Sequence, residues 1–551
     1  MNVSGLGLIR WLIILCGLAH AVADPAPAPS TAWRITFTEL KIEIDPAKEF
    51  LKGTASLRME RAGAAADSIL LELNHELTVN AVSNAAGEPL DFKRKGANLR
   101  IRCGQRDEAS ADVMIRVHYQ GSFSERVPEI GFHNGWIGPE CSYATCAASW
   151  YPQLKEPQRR SKGKVSYYVP ENWTVASAGR LFAEKILPSG SQFDFEITSP
   201  VQFGFAAGPF RALRRNIDGL EAGIFLLGGG PDKAEYYLEQ CSGIIRFLKD
   251  YYGVFPYDGY SVVEIPQEAL GNAGGGSYEG LTLFTPAAFP DGYFSPHIFG
   301  HEISHLWWGG FVRGAEGPVI NEVLAQLSTA LYLERLYGEK TLRKILRDGA
   351  PELSLIHSAR SYFQALRAPA ASSSSSLSLL LRGEDLPLGV SSPEKTNTLH
   401  MLANSKGCFV FVMLRDLIGA EAFQTGLRGA LARFAWKTVT LDDLRAEFEK
   451  AAGRDLKWFF DQWFFRTGAP EFELTFETEA RGAGWEVKGR IRQLRDVYRV
   501  AAEIAFVKAG SRETRIVEVA SAETEFSLIL PFKPDKVFFD PDYRILRWSD
   551  M

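Results

Sequence analysis

Residues 297–310 read HIFGHEISHLWWGG and hold the side chains best suited to chemistry. His301 and His305 are four apart, so on a helix they share a face and can bind one metal ion. Glu302, between them, is placed to take a proton from a water activated by that metal. The chain has only nine histidines, and a chance His-Glu-x-x-His in such a composition is on the order of a 1% event. The bland alternative is a surface helix with two stray histidines.

Zinc requires a third protein ligand and one open position. Phe311 stands where a metzincin would have its third histidine, which excludes that class. A later carboxylate is the remaining common solution. Glu322 fits, in the first turn of a helix predicted from Pro318 to Gly338, and helix-borne ligands are rigidly held. Glu316 is the competitor, but it falls in a Gly-rich turn on neither helix.

The elements around these residues are legible from punctuation and period. Ser295-Pro296 is a helix start, with Ser as cap and Pro at the first position. A Gly-Gly-Pro breaker precedes an amphipathic helix over 232–252, with Ile244, Ile245 and Leu248 on one face and Gly253 as its stop. Further helices are predicted over 398–418, 420–434 and 441–452. From Trp33 to about Phe210, apolar and polar residues alternate in short runs such as RITFTELKIEID and FDFEITS, which is a β signal. It returns after Ala469 over some 80 residues, enough for a small β-sandwich. The expected fold is multidomain α+β. Its parts are a signal peptide (1–23), a linker (24–31), an N-terminal antiparallel β domain (32–210), a mixed α/β domain (211–468) and a β-sandwich-like end (469–551).

The 551 residues are 46% hydrophobic and 23% charged, which excludes a disordered or low-complexity chain. The balance of 61 basic against 66 acidic residues gives no electrostatic reason to expect nucleic acid. A basic run, Lys155, Arg159, Arg160, Lys162 and Lys164, lacks interleaved aromatics and is expected to be a solvated surface. Arg10, the apolar run from Trp11 to Leu18 and Ala21-Val22-Ala23 form a secretory signal with cleavage expected after Ala23. The run is too short to span a bilayer, so an exported, periplasmic or extracellular product with no integral membrane segment is expected. Cys141 and Cys146 are near enough for a local disulfide in an oxidising compartment, or remain two free thiols.

These segments resemble the aminopeptidase N-like zinc metallopeptidases (gluzincins, membrane alanyl aminopeptidase type). HEISHLWWG looks like that family's metal helix, and INEVLA is similar to its Asn-Glu-Gly-Phe-Ala segment. GGGSYEGLTLF resembles its Gly-x-Met-Glu-Asn substrate strand, and SKGCFVFVMLRDLIG the helix carrying its transition-state tyrosine. The resemblance implies a thermolysin-like catalytic domain with one Zn2+ held by His301, His305 and Glu322, and Glu302 as general base. It implies substrate contacts from Gly276, Tyr278 and Glu279, with Glu279 binding the free α-amino group, and places the N-terminal domain's second amine contact at Tyr143.

Three departures accompany it. The spacing from His305 to Glu322 is two residues shorter than the family's usual eighteen. Tyr278 and Gly280 stand where Met and Asn are usual, and Asn404 stands where the tyrosine hydroxyl is expected, with His400 one turn earlier. Asn404 and His400 are candidates for the missing donor. The expected activity is zinc-dependent hydrolysis of peptide bonds in peptide or protein substrates, of the aminopeptidase type. The alternative is a catalytically weak, zinc-containing peptide-binding or scaffold protein on the same fold.

Overall fold

A computed structural model describes residues 33–548 apart from 63–67, 103–111, 128–131, 156–158, 271–274, 316–317, 351–357, 368–384 and 391–395. The expected signal peptide and linker, Cys103 and the serine tract at 372–376 lie outside the described residues. Two compact units divide the chain: residues up to 250 with 254–311, and 251–253 with 312 onward.

The first unit opens on β structure. Strand Trp33–Asp45 lies inside a seven-stranded sheet, parallel to Ser161–Val169 and antiparallel to Phe50–Arg61. Leu40, Ile42 and Ile44 point to the core and alternate with exposed Glu39, Lys41 and Glu43, the pattern of a strand with one buried face.

Beyond Phe210 the texture changes to a mixed sheet. Its strands are β1 (Arg211–Ile217), β2 (Leu220–Leu226), β3 (Gly259–Glu264), β4 (Gly275–Tyr278) and β5 (Leu281–Phe284), in the order β1-β2-β3-β5-β4. The three middle strands are parallel and the two edge pairings antiparallel. A parallel pair needs a crossover, and helix α1 (Pro231–Tyr252) supplies it between β2 and β3. Ile244, Ile245 and Leu248 are buried as expected, and Gly253 ends the helix at φ +75°.

Helix α2 (Pro296–Ser304) packs on β4. The Ser295 hydroxyl accepts the Ile298 N–H at 3.3 Å, the cap expected from Ser-Pro. Phe299 anchors the helix from below, with ring centroids 4.5 Å from Phe284 of β5 and 4.6 Å from Phe294.

The second unit is helical and then β. Its helices are α3 (Pro318–Tyr337), α4 (Glu339–Asp348), α5 (Ala359–Arg367), α6 (Thr396–Leu402), α7 (Cys408–Ile418), α8 (Ala420–Arg433), α9 (Leu441–Ala452) and α10 (Lys457–Trp463). Thr440 and Asp443 close a reciprocal capping box on α9. The single helix expected over 398–418 is interrupted: Ala403–Gly407 is a π-helical turn between α6 and α7. Gly407 is the reason the chain can sit there, because a Cβ at that position would collide with Val323 of α3. After Ala469 come two three-stranded sheets. They are Phe472–Arg481, Gly484–Gln493 and Glu523–Leu530, and Ser511–Val519, Val500–Lys508 and Lys536–Phe539. Rings from the two sheets meet, Phe472 with Phe539 at 4.6 Å.

Candidate metal centre

His301 lies in the last turn of α2, and His305 is its C-cap residue, still in helical conformation. The imidazoles therefore keep the shared face that their spacing implied. Their rings are perpendicular with centroids 4.7 Å apart, and their Nε2 atoms are 3.2 Å apart. His305 Nδ1 lies 3.0 Å from the Trp308 carbonyl oxygen, which can only accept a hydrogen bond. The neutral ring therefore carries its proton on Nδ1 and turns the Nε2 lone pair towards His301.

The chain makes this turn through its glycines. Gly309 adopts φ +117°, and a Cβ on Gly310 would strike the Tyr257 hydroxyl, which donates to the Leu306 carbonyl at 2.8 Å. Trp307 and Trp308 are fully buried, and Trp307 Nε1 donates to the Val254 carbonyl at 2.8 Å.

Glu322 is the fifth residue of α3, so it stands in the second turn rather than the first. It is buried at 1% exposure. Asn321, beside it, accepts the Gly314 N–H at 2.8 Å. His301, His305 and Glu322 each offer one ligand atom, and these atoms all lie within 4.8 Å of one another. Two imidazole nitrogens, one of them with its tautomer set, and a buried carboxylate oxygen make a donor set that suits zinc. Glu316, the competing ligand, lies outside the described residues.

Glu302 is buried at 1% exposure on the same helix. Burial, with the Glu302 carboxylate among the lesser contributors, pushes the phenols of Tyr260 and Tyr278 well above their ordinary range. Both stay neutral hydroxyls near physiological pH.

The other residues singled out from the sequence have settled positions. Gly276 and Tyr278 are on β4, and the Tyr278 hydroxyl lies 3.3 Å from where a Gly276 Cβ would be. Glu279 follows in the turn to β5, 6% exposed. Its Oε1 accepts from Arg160 Nε at 2.8 Å and forms an ion pair with Nη2 at 2.6 Å, and its Oε2 accepts from the Gln202 N–H at 2.8 Å. Tyr143 is fully buried in a cluster with Cys141, Val263 and Leu281, its hydroxyl directed to the carbonyls of Ala269 and His133. Asn404 is in the π-helical turn, 6% exposed, and its Oδ1 has no hydrogen-bond partner among the described residues. The backbone of His400 is in α6, and its side chain lies outside the described residues.

One reading left open is resolved, one is corrected, and one further histidine joins the row. Cys141 and Cys146 are not joined by a disulfide, and Cys141 is buried in the cluster around Tyr143. Arg159 and Arg160 do not belong to a solvated surface. Arg159 pairs with Glu72 at 2.7 Å and Arg160 with Glu279, with side chains only 18% and 12% exposed. His297, not singled out earlier, continues the histidine row one turn back, its ring 6.3 Å from His301. The four-residue spacing was the available signal.

The family model for the peptidase family M1 domain matches residues 236–463. Aminopeptidase M1-C of Oryza sativa subsp. japonica is 22% identical over 342 residues, 59% of this chain and 36% of that protein. Aminopeptidase N of Lactococcus lactis subsp. lactis is 21% identical over 456 residues, 78% of this chain and 51% of that protein. The chain thus spans about a third to a half of the length of these relatives. Among solved structures, Legionella pneumophila aminopeptidase A in complex with aspartic acid superposes with TM-score 0.68 at 15% identity, covering 95% of this chain and 60% of that one.

Proposed function

We propose that this chain, which belongs to the aminopeptidase N-like M1 family of metallopeptidases, hydrolyses peptide bonds at one zinc ion and removes residues from the N-termini of peptides or proteins. The observation that carries this reading is the convergence of His301, His305 and Glu322 within 4.8 Å, with Glu302 on the same helix as the two histidines. The scaffold alternative has little support, since a scaffold has no use for Glu302 and the relatives are aminopeptidases.

His301, His305 and Glu322 would hold the metal. Zinc, when bound, supplies Lewis-acid activation of water and of the scissile carbonyl. Glu302 accepts the proton of the attacking water and delivers it to the leaving amine, so one carboxylate serves as base and then acid. Asn404 offers an amide N–H to the oxygen on which negative charge develops, the role implied for the family's tyrosine. We extend the proposal to a thermolysin-like catalytic segment at 211–468, β domains at 32–210 and 469–551, and export behind the 1–23 signal. Among the described residues no helix is long and apolar enough to cross a membrane.

The test is Glu302→Gln in the zinc-loaded protein. Zinc content should be unchanged while hydrolysis of aminoacyl reporters falls to background. Turnover at the wild-type rate would remove Glu302 from the mechanism.

A further inference from the structure

The carboxylate implied for reading the substrate's amine is already engaged. Glu279 is 6% exposed and carries one negative charge, and it is matched by the Arg160 guanidinium through two contacts to Oε1 at 2.6 and 2.8 Å. The Gln202 N–H takes Oε2 at 2.8 Å, and the Gln202 side-chain amide reaches Oε1 at 3.5 Å. Three of these contacts fall on Oε1 and one on Oε2, so the buried carboxylate already has its charge matched and both oxygens engaged. Arg160 is itself held, donating to the Gly310 carbonyl at 3.2 Å just beyond the metal helix. An arriving ammonium meets a carboxylate whose charge is already matched, and displacing the buried guanidinium would leave that charge uncompensated.

The second implied amine contact is closed as well. Tyr143 is fully buried, its hydroxyl spent on backbone carbonyls.

We propose that Arg160 is a specificity-determining residue: by holding Glu279 in a buried ion pair, it removes the requirement for a free N-terminal amine, so that N-blocked peptides and internal peptide bonds are substrates too. This rests on the peptidase reading above. The reaction needs no further reactant. The C–N bond breaks, water's hydroxyl joins the carbonyl carbon and its remaining hydrogen goes to the leaving nitrogen.

The experiment compares a pentapeptide with its N-acetyl twin in two measurements on the full chain. One is kcat/KM of the zinc-loaded wild type, with products identified by mass. The other is Kd by calorimetry on Glu302→Gln. A charge-assisted contact to the ammonium would favour the free amine by about 10- to 100-fold. The expected result is a difference within about threefold in both measurements. A tenfold or larger preference for the free amine in either overturns the inference, as does failure of both peptides to bind. Equal binding with no hydrolysis of either peptide overturns the inference together with the peptidase reading; hydrolysis of the free peptide alone overturns the inference and upholds the peptidase reading. Arg160→Gln, which releases Glu279, should gain a free-amine preference of tenfold or more in Kd. Arg160→Lys keeps the charge and should not. A released Glu279 that gains no preference also overturns the proposal.

Discussion

The Nε2 atoms of His301 and His305 face each other at 3.2 Å, one helical turn apart, with His305 keyed to the Trp308 carbonyl through Nδ1. Two nitrogen lone pairs this close repel unless a cation or a shared proton lies between them. Zinc binding should therefore stabilise the folded chain. At free zinc one hundred times its Kd, the gain is about 2.7 kcal/mol. Scanning calorimetry should give a higher Tm with zinc than with chelator, and His305→Ala should abolish the difference. Equal melting of the wild type in both conditions would count against a resident metal.

Phe299 sits two residues before His301 and stacks among Phe284, Phe289 and Phe294. Phe299→Ala leaves a cavity under the metal helix and should cost about 3–5 kcal/mol. The loosened support should also weaken zinc binding by about 10-fold or more. Denaturant unfolding and a zinc competition titration read the two effects. A large stability loss at unchanged zinc affinity would show that the ligands do not depend on this support.

Asp348 at the end of α4 receives paired hydrogen bonds from two guanidinium groups, Arg347 on Oδ2 at 2.7 and 3.0 Å and Arg360 on Oδ1 at 2.7 and 3.1 Å. Burial alone would raise this carboxyl, but the two arginines win and hold it below its ordinary 3.8. A depressed folded-state pKa contributes stability above the unfolded value and loses it as pH falls through the folded one. Stability should therefore drop from about pH 4 downward, and Asp348→Asn should flatten that part of the curve. An identical acid limb in the variant would remove Asp348 as a contributor.

Asn404 offers the π-helical turn's buried amide to the reaction. If it donates to the developing oxyanion, Asn404→Ala should lower kcat by about 10²–10³ while leaving KM and zinc content near their original values. A rise in KM at constant kcat would instead assign it to substrate holding.

The parts of the molecule that were legible in the sequence are those specified by neighbours in the chain. The cap at Ser295, the histidine pair and the start of α3 at Pro318 follow from local geometry, and each is where the spacing put it. The ion pair between Arg160 and Glu279 joins residues 119 apart. Nothing in either local segment announces it, so a buried arginine read as part of a solvated basic run. Cys141 and Cys146 show the converse: near in sequence, yet one is committed to a hydrophobic cluster. The π-helical turn was hidden for a similar reason. Periodicity over 398–418 is consistent with one helix, and only the approach of Gly407 to Val323 accounts for the bulge.

That bulge makes the bearing of α7 a matter of residue count. A π turn holds one residue more than an α turn. Removing a single residue between Ala403 and Gly407 would let α6 and α7 run on as one rod, and every side chain beyond would swing by about 100° around the axis. The buried faces of Phe409 and Phe411 would then turn away from their pockets. A one-codon deletion here would be felt along the whole of α7, whereas exchanging one residue type for another in the same turn would leave its heading intact.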